Sequence, residues 1–351
     1  MRILRLPAAV FLIGAAVLIA EEARAQGASD ATSKPGAHLV LLLDAAEVRA
    51  HWLVSMRDEI RGRLREVKVG FSGLTVADNV VRVRLAKPED ADAALKALVD
   101  LAPAAPSGLL QRLLGPMLGS PGSDVAVAKG ERGTITITPT EAGLERRIST
   151  ALDDAVAIAG RRLDGMGVAA SAVRQGRDRI YVHAPALQDT TAIKELLTKP
   201  ARLGFHEVHA AISTHEARKG RMPLGFKIYS APPEELLLRE VPVLRGSDLA
   251  DAQAAFDQRT SEPVITFRFN SAGMRAFGKY TAENVGRPFA IVLDDVVLSA
   301  PVIREPILGG SGQVSGNFTV EEAKQLAVQL RGGALPAKLT AVEERVIPPR
   351  R

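Results

Sequence analysis

Two stretches of this 351-residue chain lie in gap-free register 99 positions apart: "RLREVKVGFSGLTVADNVVRVRLAKPEDADAALKAL" (63–98) and "RLDGMGVAASAVRQGRDRIYVHAPALQDTTAIKELL" (162–197). A unit that recurs at fixed spacing must bury its apolar face against something else, so this repeat limits the fold more than composition does. Each copy reads as the end of a helix, two short strands around a polar turn, and a second helix.

In the second copy Leu144, Ile148, Leu152, Ala155, Ala159, Leu163 and Met166 recur at steps of four and three, which places them on one helical face. Thr138 with Glu141 predicts a capping box around Pro139, and Gly165 with Gly167 supplies the stop. "AVRQ" and "RIYVHA" follow as strands with Ile180 and Val182 on one side, and Asp189 caps a helix whose inner face is Ile193, Leu196 and Leu197. The first copy uses "HLVLLLD" as opening strand and "VRAHWLVSMRDEIRGRL" as first helix. The order strand-helix-strand-strand-helix-strand is the split βαβ, or ferredoxin-like, pattern of an α+β fold. The copies form either one interlocked base or two adjacent modules. Between them "LAPAAPSGLLQRLLGPMLGSPGS" is rich in Pro, Gly and Ser and reads as a linker over about residues 102–123.

The pattern changes after "PARLGFHEVHA". The expected organisation is a base over 36–209, an inserted α+β head over 210–335, and a return strand with a tail over 336–351. "EPVITFRFN" alternates like a strand, and Ser271 opens a helix carrying Met274, Phe277 and Tyr280. "FAIVLDDVVLSAP" is a hairpin turning at Asp294 and Asp295, and "LPAKLTAVEERVI" is the strand that returns to the base.

Residues 1–25 follow the grammar of a signal peptide: a basic start "MRILRLP", an uncharged run "AAVFLIGAAVLIA", and "ARA" before a cut after Ala25. The alternative is an uncleaved N-terminal anchor. Either way the expected location is the periplasm, with the anchored form held at the inner membrane. Cysteine is absent, which excludes disulfide staples and thiolate chemistry. The formal charge is +5; residues 1–25 carry Arg2, Arg5 and Arg24 against Glu21 and Glu22, leaving +4 on the remainder. That mild excess, with 4% aromatic residues, argues against nucleic acid and leaves the inner-membrane surface, with its anionic headgroups, as a partner.

"GGSGQVSGNF" lacks the Lys and Ser or Thr of a phosphate loop, while Thr319 and Glu322 make a capping box, so its glycines are read as turn formers. His206, His209 and His215 with Glu207 and Glu216 suggest a metal, but on a strand His206 and His209 point to opposite faces, so they read as solvated strand-edge histidines. Asp294 and Asp295 read as a solvated turn. No serine sits in a nucleophile elbow or is tied to His183. The expectation is a protein with no catalytic residues, no metal and no cofactor.

Several of these segments resemble one family. "SEPVITFRFNSAGMRAF" and "TAENVGRPFAIVLDDVVLSAPVIREPILGGSGQVSGNFTVEEAKQLAVQLRGGALPAKLTAVEERVI", with linked "SAP", "SGNF" and "LRGGALPA", are similar to the head of the large periplasmic domain of the SecD family. "AGRRLDGMGVAASAVRQGRDRIYVHAPALQDTTAIKELLTKPARLGFHEV" resembles that domain's base, as does "GAHLVLLLD" more weakly. The family's members are proton-motive-force-coupled accessory subunits of the Sec translocon, related to resistance-nodulation-division transporters. They continue into five membrane helices, whereas this sequence runs from "VEERVI" to "PPRR", so the expectation is a chain without its own proton-coupling helices. The family's paired glycines before the opening strand are reduced to Gly36 in "KPGAH".

The resemblance implies a protein that assists export by binding unfolded polypeptides as they emerge, or by docking on the Sec translocon with SecD and SecF. Such a site needs apolar walls and an accessible strand edge. The expected polypeptide-binding surface is Val297, Leu298 and Ile303 on the head hairpin, with the turn Gly316, Asn317 and Phe318. The alternative is a repurposed periplasmic binding module that keeps the fold without an export role.

Overall fold

The computed structural model describes residues 34–99 and 123–348, so the signal-peptide reading and nearly all of the linker reading lie outside the described residues. The described residues form a mixed α+β protein built on four sheets.

The repeat is visible in the elements. From the N-terminal side run β1 (Gly36–Leu43), α1 (Ala45–Glu66), β2 (Phe71–Ala77), β3 (Val80–Leu85), α2 (Ala91–Val99), β4 (Val125–Lys129) and β5 (Thr134–Pro139). Then follow α3 (Glu141–Gly165), β6 (Ser171–Gln175), β7 (Arg179–Ala184) and α4 (Thr191–Thr198). β3 and β7 keep the 99-residue spacing at both ends. The opening strands, however, are exchanged. β1 pairs with β7 of the other copy, and β5 pairs with β3. Of the two arrangements the sequence leaves open, the interlocked one is found.

One four-stranded sheet has the order β2-β3-β5-β4, drawn from contiguous chain. Val81, Val83, Ile135 and Ile137 alternate onto its inner face and meet Trp52, Met56, Ile60 and Leu64 of α1 with Ala94 and Leu98 of α2. The other sheet has the order β17-β1-β7-β6, where β17 (Leu339–Ile347) is the last described strand. Leu39, Leu41, Ile180 and Val182 there meet Leu152, Ala155, Ala159 and Leu163 of α3 and Leu196 and Leu197 of α4. The α3 cap is Thr140, whose hydroxyl accepts from Gly143 N–H at 3.0 Å, and not Thr138. Thr138 is held two residues earlier by pairing with Ala126, and strand β5 runs through Pro139.

Between α4 and β17 the chain leaves and returns. It builds β8 (Leu203–Glu207), β9 (Phe226–Ala231), β10 (Glu234–Arg239), β11 (Leu244–Arg245), β12 (Leu249–Phe256), β13 (Pro263–Phe269) and α5 (Ser271–Glu283). β14 (Phe289–Leu293), β15 (Val296–Ser299), β16 (Ser311–Ser315) and α6 (Val320–Gly332) complete it. A six-stranded sheet β10-β9-β15-β14-β8-β11 packs on a three-stranded sheet β12-β13-β16 through a knot of aromatics. Phe205 lies 5.1–6.4 Å from Phe267, Phe269, Phe277 and Phe289, centroid to centroid, within the range of favourable ring pairs. β8 is hydrogen-bonded into this six-stranded sheet through β14.

Both crossings meet at one side chain. Arg162 of α3 is fully buried and its guanidinium donates to Leu196 O, Lys199 O, Pro200 O and Gly333 O at 2.7–3.1 Å. These four bonds offset the cost of burying the charge, while its Nε–H has no partner among the described residues. Burial lowers its pKa to about 10, against the pull of Asp294, so it stays charged at neutral pH. Leu335 N–H donates to Pro200 O at 2.9 Å, stitching the outgoing and returning segments together. Glu47 of α1 reaches the same place, bonding Arg202 and the Lys338 N–H, both at 2.6 Å. α6 lies against α3 because Gly165 and Gly332 have no side chain: a Cβ on the first would sit 2.8 Å from Val328 Cγ1, and one on the second would overlap Arg162 Cγ.

Candidate functional site

The six residues expected to form one surface do not. In β15 alternate side chains take opposite faces of a sheet that is covered on both. Val297, 8% exposed, packs with Tyr229, Leu238, Ala290 and Val292, whereas half-buried Leu298 and fully buried Ile303, 1% exposed, join the aromatic knot on the other side. β15 has no free edge, lying between β14 and β9. In the turn before α6 the Phe318 ring packs over Gly316, where a Cβ would lie 2.9 Å away, and only Asn317 is exposed. Thr319 and Glu322 then form the capping box, and those bonds hold the Glu322 carboxyl below its ordinary range.

The apolar cleft lies nearby. A hollow of about 290 Å³ opens between β16 and residues 300–307, walled by Phe267, Phe277, Phe289, Ile291, Ile303 and Ile307. Val302, 54% exposed, stands at its mouth. Among the described residues β16 pairs only with β13, so its other edge presents unpaired N–H and C=O groups beside the hollow. Gln313 of β16 donates to Asp257 Oδ2 at 2.8 Å, and Asp257 also accepts from the amides of Arg259 and Thr260. The Thr260 amide, Gln313 and the Arg259 amide hold this carboxyl at about 2, so a permanent anion pins the strand edge. Sequence reasoning found one wall residue, Ile303. It missed the phenylalanines, which come from two strands and a helix and meet only in the fold, and Val302, which lies just past the predicted hairpin ending at Pro301.

The other candidates resolve differently from their sequence reading. The Asp294–Asp295 turn has φ of 49° and 67°, as a two-residue hairpin of this kind requires. Asp294 is not simply solvated: it accepts from the amides of Ala201 and Arg202 at 3.2 and 2.8 Å. His206 is not a solvated edge residue but is 6% exposed, with Nδ1 on Arg239 O at 2.8 Å, because β8 lies inside its sheet. His209 accepts from Ile212 N–H instead. Among the described residues no group of three or more His, Asp or Glu is placed to hold a metal, and no helix is long and apolar enough to cross a membrane.

Comparison with known proteins gives a consistent result. Residues 225–337 match the family model "SecDF, P1 head subdomain", and residues 152–210 match "Protein translocase subunit SecDF, P1 domain, N-terminal". The protein translocase subunit SecD of Rickettsia bellii is 35% identical over 316 residues, covering 90% of this chain and 57% of that protein. SecD of Rhodobacter capsulatus is 40% identical over 226 residues, 63% of this chain and 40% of that one. The chain thus spans little more than half the length of the curated relatives it matches along 90% of itself. A solved structure of SecDF, described as a membrane component that enhances protein export, is 34% identical, with 57% of this chain and 94% of that one covered at a TM-score of 0.47.

Proposed function

Because the chain belongs to the SecD family of protein translocase subunits, we propose that it assists protein export from the periplasmic side by holding extended, unfolded polypeptide at the β16 edge. On this reading the two helix-backed, four-stranded sheets are interleaved ferredoxin-like units forming a base, the aromatic-cored sheets are a head inserted in one of them, and the partners are the Sec translocon and SecF. The protein acts as a binding element and not as an enzyme.

The observation that carries the reading is the unpaired edge of β16 beside an apolar hollow. Main-chain pairing recognises any extended chain, and a hollow of this size takes one apolar side chain without demanding which. Burying one Val or Leu is worth about 1.5–3 kcal/mol, enough to slow backsliding and too little to stop passage. The test is photo-crosslinking in cells from position 305, an exposed position lining the same hollow, with secretion active and arrested. Capture of exporting chains that disappears on arrest, and that Val302→Asp reduces about tenfold, is the expected result. Capture of a folded envelope protein regardless of secretion would instead assign the fold to a different partner.

A further inference from the structure

A second hollow, of about 320 Å³, lies on the opposite face of the six-stranded sheet, near both crossings. Its floor is apolar, with Leu203, Pro242 and Val292. Its polar groups are unusual in being unspent. The His206 Nδ1–H donates to Arg239 O, leaving Nε2 without a hydrogen-bond partner among the described residues. That nitrogen faces the space above Gly204, where a Cβ would come within 2.5 Å of it, and Gly204 lines the hollow. The Tyr229 hydroxyl, on a ring that is 94% buried, and the Arg245 guanidinium likewise have no hydrogen-bond partner among the described residues. Arg202, bonded to Glu47 through one nitrogen, adds a second guanidinium, and the rim carboxylate Asp295 is paired with Lys227 at 3.5 Å.

His206 and Tyr229, both buried as residues, line one cavity with polar atoms that no group among the described residues satisfies, beside the exposed guanidinium of Arg245, and that combination points to an occupant. Two guanidiniums and a phenol are donors suited to an oxyanion, while the floor suits an aliphatic body. We infer that this hollow binds a carboxylate carried on a small apolar body, its oxygens meeting Arg245, Arg202 and the Tyr229 hydroxyl. His206 makes the binding proton-coupled. Burial lowers its pKa, so the imidazole of the empty hollow is neutral at pH 7. A bound carboxylate favours the imidazolium, whose Nε2–H then donates to it. Affinity therefore rises as pH falls from 8 towards 6. Two sources share this chemistry: a free aliphatic acid and the C-terminal residue of a polypeptide.

The test titrates the whole protein with N-acetyl-leucine, N-acetyl-leucinamide and an acetylated tripeptide ending in leucine, following the amide resonances of Gly204, Gly246 and Ser247. N-acetyl-leucine is expected to shift all three, the amide to bind at least about tenfold more weakly, Arg245→Gln to weaken the acid about tenfold, and His206→Gln to flatten its pH dependence. Binding of the tripeptide as tightly as N-acetyl-leucine assigns the site to chain ends, and its exclusion assigns it to free acids. Equal binding of acid and amide, or no shift at millimolar ligand, overturns the inference. Neither outcome bears on the β16 edge, which lies on the other face of the sheet.

Discussion

Arg63 and Arg162 hold the same position in the two repeat copies and reach the same backbone atom, the carbonyl of Ala97 at 3.4 Å in one and of Leu196 at 2.8 Å in the other. Their surroundings differ completely. Arg63 is partly exposed and paired with Glu59 at 2.9 Å, whereas Arg162 is sealed under the two crossings and gives three more hydrogen bonds to their carbonyls. The connection after the second helix of each copy explains the difference. In the second copy it carries the whole body from β8 to α6. An arginine at the end of a helix is an ordinary cap for the neighbouring helix, and routing the chain from β8 to α6 over it turns it into a clamp.

The comparison predicts unequal costs for equal substitutions. Arg162→Met should cost about 3 kcal/mol or more in urea unfolding, since it leaves several buried carbonyls without donors. Arg63→Met should stay within about 0.5 kcal/mol, as exposed ion pairs contribute little. Equal losses would break the comparison. Next, Gly165→Ala presses a Cβ on Val328 and should cost about 1–3 kcal/mol, while its counterpart Glu66→Ala faces solvent and should be near neutral. Smallest is a pH effect at positions 47 and 146, where the copies carry opposite charges: Glu47 bonds Arg202 and Lys338, and Arg146 bonds Asp124. Burial pushes the Glu47 carboxyl up, but the Lys338 amide and Arg202 outweigh it and the net pKa is lowered. Its contribution is present above the unfolded value near 4.5 and is lost as pH falls through the folded one. Wild-type stability should therefore drop more steeply below pH 4.5 than that of Glu47→Gln, by denaturant midpoint.

Much of this was legible in advance because it is local. The helices, hairpins and the Thr319 cap follow from periodicity and turn chemistry within a few residues. The exchange of β1 and β5 was not legible, since nothing in "HLVLLLD" or "TITITP" states which hairpin it will join. Asp294 was read as solvated because its amide partners lie about ninety residues away. The site was half legible for a related reason. Val297, Leu298 and Ile303 are apolar as an interior requires, but alternation says only that neighbours diverge, and not that both faces are covered. The hollow needed aromatics from three elements to be seen.

The pairing of β1 with β17, Gly36 opposite Ile347, also sets an order of assembly. The sheet β2-β3-β5-β4 uses one unbroken stretch of chain and is complete in principle once residue 139 has been made. The sheet containing β1 must wait for a strand about 300 residues later, a closure that is slow because its entropy is lost before any contact repays it. A chain delivered from its N-terminus therefore carries an unsatisfied strand until β17 arrives.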